Sequence, residues 1–231
     1  MDPTRADTML LTKPKNIPGW IFEKKRDPTF KFLPEPHEYY LKNVRLWSPS
    51  GVFVEIRYVD PIYYNEESRY RGQYVHHATH LIDDGDKGIW NKIHHDYLGF
   101  IEAYCEFKEV WKYRPRMREL PIYHPLFHYG VTPDGEGTIL GGDDALVEMK
   151  TGSMPWWVKY QLAAQDMAVS AWDSQTLFRR RIGLELKVNG KFKAVEFDDH
   201  EDDDCTWQAN LRTAQKHYRE PPQKHGVALG Y

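Results

Sequence analysis

Asp134, Glu148 and Lys150 have the types and spacing to hold a divalent cation and act on a bond beside it. The run Asp144-Ala-Leu-Val-Glu-Met-Lys150 alternates. In a strand, side chains two apart share a face. Leu146, Glu148 and Lys150 therefore point one way, and Ala145, Val147 and Met149 the other way, into a core. If 121–132 is the preceding strand, a turn at Gly135-Glu-Gly137 folds the chain back and brings Asp134 beside Glu148. Two carboxylates and an ammonium then crowd one end of a small sheet. Neighbouring like charges resist ionising together, so a divalent cation would relieve the group. Such a cation lowers the pKa of a bound water and polarises a phosphoryl oxygen. A lysine beside it orients that water or stabilises developing negative charge.

The bland alternative is a surface strand with an ordinary ion pair, since Glu-x-Lys is common in a chain with 28% charged residues. Order and context separate the two. Pro133-Asp134 precedes a glycine turn, an apolar alternation follows, and then come Thr151-Gly152 and a helix bearing Gln161 and Gln165.

The elements that must position these residues are legible in outline. Residues 66–82 carry a helical stripe of Tyr74, Val75, Ala78, Leu81 and Ile82. A second helix covers about 92–112, with Tyr97, Leu98, Ile101, Tyr104, Cys105, Val110 and Trp111 mostly on one side. His37–Leu41 and Val52–Ile56 read as short strands with turns at Lys42-Asn43 and Ser48-Pro-Ser50. Ser153 with Pro155 opens a helix of about 155–172, on which Gln161 and Gln165 share a face. Residues 177–197 form a hairpin about a two-residue Asn189-Gly190 turn, and an acid-started helix covers about 199–217. This order predicts an α/β fold, with a central mixed β-sheet flanked by helices. Residues 1–36 read as an irregular arm, in which Lys13, Lys15 and Lys24–Arg26 could touch a phosphate backbone, and 221–231 as a tail.

The totals set bounds. The chain has 231 residues, 41% apolar and 14% aromatic, with a net charge of −3. The sequence pI of about 6.4 lies below the ~9 typical of a dedicated nucleic-acid-binding domain. A basic groove on an acidic body remains compatible with it. Cys105 and Cys205 make no CxxC pair and cannot supply the four thiolates of an iron–sulfur cluster. No apolar run approaches the ~18 residues of a membrane span. The expectation is a soluble cytoplasmic protein with no membrane segment.

The pattern resembles the PD-(D/E)XK nuclease superfamily, particularly the RecB-type exonuclease domains of phage and bacterial recombination proteins. An RGxxxH-like motif is matched by Arg71-Gly72-Gln-Tyr-Val-His76, and a GTPD-like turn by Thr132-Pro133-Asp134. D/ExK-TG is matched by Glu148-Met-Lys150-Thr-Gly152, and a QLAAY-like helix start by Gln161-Leu-Ala-Ala-Gln165. The opening HEYYLKNVRLWSPS at 37–50 resembles the HxYxLxGxxxPSVT entry of phage members. The likeness spans about 37–197 and implies a restriction-endonuclease-like core in one domain over 37–220.

The resemblance implies His76, Asp134 and Glu148 as metal ligands, joined by the Met149 backbone carbonyl, for one or two Mg²⁺ or Mn²⁺ ions. Lys150 would be the catalytic lysine. Gln161 would support the site or contact the DNA backbone, Arg71 would assist at the phosphate, and Gln165 would lie on the substrate side. DNA is the implied partner, in the cytoplasm of a bacterium or a phage-infected host. A single-strand annealing protein or a helicase is a candidate partner, and a homo-oligomer a candidate assembly. Two positions depart from the pattern. Val131 stands where a glycine is expected, with Gly130 shifted by one, and Gln165 stands where an aromatic residue is expected. A nucleic-acid-binding or assembly protein that has lost hydrolysis is therefore the alternative.

Other groups invite rival readings. His76 and His80 are four apart, the spacing of a zinc pair, but HExxH chemistry needs a glutamate where His77 stands. Arg179–Arg181 and Arg114–Arg118 would meet phosphates or be solvated strand ends. The acidic run 196–204 reads as a solvated loop and helix start. Trp156 and Trp157 read as core packing, with base stacking as the alternative.

Overall fold

The run 144–150 does form a strand, but one covered on both faces, and that placement organises the rest. The computed structural model describes residues 27–35, 37–60, 65–173 and 178–217. In chain order its main elements are β1 (Lys31–Leu33), β2 (Glu38–Leu41), β3 (Val44–Leu46), α1 (Pro49–Glu55), α2 (Glu66–Asp83) and α3 (His95–Trp111). Strands β4 (Arg114–Arg118), β5 (Ile122–His124), β6 (Tyr129–Val131), β7 (Gly135–Thr138) and β8 (Asp144–Lys150) follow. The chain continues through α4 (Val158–Trp172), β9 (Arg180–Leu186), β10 (Phe192–Phe197) and α5 (His200–His217).

The central sheet has the order β10-β9-β8-β7-β4, with β8 and β9 parallel and the other pairs antiparallel. This is the expected α/β arrangement of a mixed sheet with helices on both sides. Ala145, Val147 and Met149 pack with Ile182 and Leu184 against Tyr74 and Val75 of α2 and Phe100, Ile101 and Tyr104 of α3. Leu146, on the opposite face, packs against Leu162 and Ala163 of α4, Trp207 of α5 and Phe53 of α1. A strand buried on both faces reads as nearly continuous apolar sequence, so Glu148 within it is a buried charge rather than a solvent-facing one.

Several expected elements differ. Gly135–Thr138 is not a turn but strand β7, paired antiparallel with β8. Its chain reversal lies at Gly141 and Gly142, whose φ values of 89° and 86° suit glycine and few other residues. A Cβ at Gly137 would lie 2.2 Å from the Arg114 carbonyl oxygen, so the missing side chain lets β7 lie against the bulged strand β4. Residues 122–131 make a separate ribbon, with Ile122 opposite Val131. The juxtaposition expected from the hairpin nevertheless holds, because Gly135 pairs with Val147 and Asp134 reaches the Glu148 end.

Residues 52–55 are helical, not extended. Ser48 caps α1 by accepting from the Gly51 N–H at 3.2 Å, and Pro49 stands at the start. Capping and complete burial of Val52 and Phe53 outweigh the strand preference of the valines. Helix α4 begins at Val158 with no side-chain cap, so Ser153 does not open it. On α3 the buried face is Phe100, Ile101, Ala103, Tyr104 and Phe107, while Leu98 and Val110 are exposed. The β9–β10 loop closes through Lys187 N–H to the Lys191 carbonyl, which makes it one residue longer than expected.

Within the expected arm, Lys31–Leu33 pairs with β2. Lys13, Lys15, Lys24–Arg26 and the tail lie outside the described residues. Cys105 and Cys205 are both unbridged. Among the described residues no helix is long and apolar enough to cross a membrane.

Candidate active site

Asp134 and Glu148 meet because the β7–β8 pairing ends at Gly135 and Val147, their immediate chain neighbours. Met149 donates its N–H to Asp134 Oδ2 at 2.7 Å, beyond the last β7–β8 pair. In a strand a residue's N–H and C=O share an edge, so the Met149 carbonyl faces the same side as Asp134. Arg118 fixes the other end of this junction by donating from Nε to the Asp134 carbonyl at 2.9 Å.

Glu148 is 2% exposed and accepts from three side chains. Lys150 Nζ and Gln161 Nε2 donate to Oε1 at 2.6 and 2.7 Å, and Gln165 Nε2 donates to Oε2 at 2.7 Å. The two glutamines reach it from one face of α4, as their four-residue spacing requires. Lys150 lies 5.5 Å from the Trp157 ring centre, so the indole supports the ammonium from below. Arg71 Nε donates to Thr151 Oγ1 at 3.4 Å, which brings α2 against the end of β8.

From α2, His76 Nδ1 lies 3.4 Å from Asp134 Oδ1 and 3.3 Å from Glu119 Oε1. Glu119 is the site residue that the sequence did not disclose. It follows β4 with a φ of 43°, a left-handed conformation uncommon outside glycine. No periodicity marks such a position, and its one sequence cue is its place at a strand end before Leu120-Pro121.

The electrostatics show a surplus of acid. Burial and the neighbouring Glu148 push the Asp134 carboxyl up to about 7, against the pull of His76 and Lys150. Burial opposes a charge on His76, yet Asp134 and Glu119 together raise it to about 9. Burial would raise Glu119 too, but His76 and His80 beside it hold it well below the usual carboxylate range. Arg118 is lowered to about 10 by burial and is already ion-paired with Asp83.

The donor types at this site are those that a divalent cation takes. His76 Nδ1 sits between two carboxylates, where its proton supplies positive charge that a cation would otherwise bring. The donors are carboxylate, imidazole and backbone carbonyl, a set that suits Mn²⁺ and tolerates Mg²⁺. A tighter grouping of ligand-type atoms among the described residues is His94, His95 and Asp96, all exposed. It lies at the start of α3, where His94 Nδ1 already accepts from the Asp96 N–H.

The structure therefore brings together His76, Asp134, Glu148, Met149, Lys150 and Gln161, and sets Arg71 at their margin. Gln165 is different. It is 1% exposed and its amide is spent on Glu148, so it supports the acid and does not face a substrate. Gly130 also has its own reason: a Cβ there would lie 2.1 Å from the Tyr39 ring, while Val131 is buried in the core.

Arg179 and Arg181 do not flank a groove. Arg179 and Arg181 are 1% and 2% exposed, neither solvated nor open to a phosphate. Arg179 pairs with Asp173 at 2.6 Å, and Arg181 with Asp166 at 2.9 Å and Asp204 at 2.7 Å. Arg116 pairs with Glu136 and Asp144. The acidic run is likewise only partly solvated, since Asp203 is buried and takes Lys159 at 3.0 Å. Of the tryptophans, Trp157 packs on Phe53 at 5.3 Å between ring centres, whereas Trp156 is 57% exposed.

No protein-family model matches the chain, and no curated protein matches it.

Proposed function

We propose that the protein is a divalent-metal-dependent deoxyribonuclease of the PD-(D/E)XK kind with a restriction-endonuclease-like core, acting as an exonuclease in phage or bacterial recombination and repair. The observation that carries this reading is the buried Asp134–Glu148 pair at one end of β7 and β8, with Lys150 2.6 Å from Glu148 Oε1. A structural ion pair has no use for the second acid, the flanking histidine and the two glutamines.

His76, Asp134, Glu148 and the Met149 carbonyl would hold Mg²⁺ or Mn²⁺. When bound, the cation supplies an acidified water and neutralises charge on the scissile phosphate. Lys150 provides a fixed positive charge where negative charge develops on the phosphate. Gln161, bonded to both Lys150 and Glu148, holds the ammonium in register with the acid. Hydrolysis needs no covalent intermediate, since none of these groups is an activated nucleophile.

One observation favours a second reading, a nucleic-acid-binding protein on the same framework that no longer cuts. Both Glu148 oxygens already accept side-chain donors, which a cation must displace or share. End-labelled linear and circular DNA, single- and double-stranded, incubated with Mg²⁺, Mn²⁺ or EDTA, separates the two. Loss of linear DNA alone, abolished by EDTA and reduced at least ~100-fold by Lys150→Ala, is the expected result. Cutting of circles would move the assignment to an endonuclease. Binding without cutting in any condition would establish the second reading.

A further inference from the structure

We propose that Trp156 is a stacking platform for an unpaired base, so that the site takes a single-stranded nucleic-acid end. Trp156 stands between Lys150 and Gln161 in the chain and is 57% exposed. A large apolar side chain left in water forgoes the stabilisation that burial would bring. The indole is nevertheless held in place. The Tyr58 ring centre lies 4.7 Å away at 54°, and the Tyr160 ring centre 6.0 Å away, edge-on at 89°. Both distances fall in the range of favourable aromatic pairs.

The two tyrosines are themselves anchored. Helix α1 ends in a Schellman turn, in which the Tyr58 N–H donates to the Phe53 carbonyl at 2.8 Å and the Arg57 N–H to the Val54 carbonyl at 3.1 Å. The Tyr58 ring stacks on buried Phe53 with 6.2 Å between centres. Tyr160 is 8% exposed and precedes Gln161 on α4. An aromatic side chain fixed beforehand loses little freedom when a ligand stacks on it.

The neighbours of Trp156 select the ligand. Trp157, the next residue, carries Lys150 at 5.5 Å, so adjacent residues serve an ammonium and an open indole. Gly152 and Ser153, just beyond the strand that ends at Lys150, are exposed as well. A nucleotide presents the matching features, an anion joined through a sugar to a flat π face. In a duplex that face is covered by stacked neighbours, whereas a single strand leaves it free, and stacking accepts every base. The platform depends on the nuclease reading only for the class of ligand.

The test is fluorescence anisotropy of end-labelled oligonucleotides on the full chain, in EDTA and in Ca²⁺, which reads binding and needs no cutting. Three ligands of one length are compared: a thymidine single strand, an abasic sugar-phosphate strand and a blunt duplex. Trp156→Leu should weaken the thymidine strand by at least ~5-fold and leave the abasic strand and the duplex unchanged. Trp156→Phe restores a π face and should recover most of the loss. Comparing ligands within one variant cancels any fraction that misfolds. Equal binding of the thymidine strand by wild type and Trp156→Leu, an equal loss on all three ligands, no recovery in Trp156→Phe, or no single-strand binding by wild type in either condition would overturn the platform. Metal-dependent cutting with no effect of Trp156 on binding would overturn it and leave the nuclease reading standing. Trp156-dependent binding by a protein that never cuts would do the reverse.

Discussion

Helix α4 covers two buried polar groups at once, through the adjacent residues Gln165 and Asp166. Asp166 faces Arg179 and Arg181, around which Glu136, Asp173 and Asp204 complete the pairing. Gln165 faces Glu148, where the carboxylate is met by two amides and one ammonium. Both groups are buried under the same helix on the same sheet. In the first, arginines and acids answer one another. In the second, burial beside Glu148 drives Asp134 up to about 7, and the cation facing its carboxylate at 3.4 Å is a histidine. Buried charges that are matched hold a structure together. Buried acids in excess must either hold a proton or take positive charge from outside.

The comparison breaks most sharply at Arg181. Its truncation leaves Asp166 and Asp204 beside each other in the interior, and unpairing a buried charge costs ~3–5 kcal/mol. Arg181→Ala should lower the unfolding free energy measured in urea by that margin while leaving Mn²⁺ binding per folded chain unchanged. A loss below ~1 kcal/mol would mean that the arginine group is not matched as its geometry suggests.

The opposite sign is expected at Asp134. Its carboxyl is raised from 3.8 to about 7 in the fold, so the folded protein keeps a proton that the unfolded chain gives up. Stability from this group is full below the unfolded value and is lost as pH rises through about 7. Asp134→Asn removes that loss and keeps an acceptor for the Met149 N–H. Without divalent cations it should stabilise the protein by ~1–2 kcal/mol at pH 8, after allowing for what His76 loses, and by almost nothing at pH 4. Urea unfolding at the two pH values decides this, and a destabilised variant at pH 8 would place Asp134 among the matched pairs.

The two groups were not equally legible in the sequence. The Asp134, Glu148 and Lys150 cluster could be read because strand alternation and a helix repeat fix which side chains share a face, and local order carries that information. The exact turn did not matter, since pairing of Gly135 with Val147 gives the same neighbours as the expected hairpin. The arginine group was missed because its partners come from β7, β9, α4 and α5, and no spacing along the chain announces a contact of that range. Glu119 was missed for another reason: its conformation is a backbone outlier that only the surrounding fold can impose. Val52–Ile56 failed through competition, where a serine cap and burial overrode valine's strand preference.

The finest test of the comparison is the residue that joins its halves. Gln165→Leu removes the donor to Glu148 Oε2, which leaves a buried carboxylate oxygen short of a partner at a cost of ~1–3 kcal/mol. It also removes Gln165 Oε1, a buried oxygen that has no hydrogen-bond partner, and so relieves a penalty of the same kind. The two terms oppose, and the net change in stability should stay within about 1 kcal/mol. Mn²⁺ affinity should nevertheless fall by ~10-fold, because an orienting partner of a metal-holding carboxylate has been lost. Urea midpoint and Mn²⁺ titration on one preparation supply both readings. A large loss of stability with unchanged Mn²⁺ affinity would assign Gln165 to the structural half, and the boundary between the two groups would then fall at Glu148 itself.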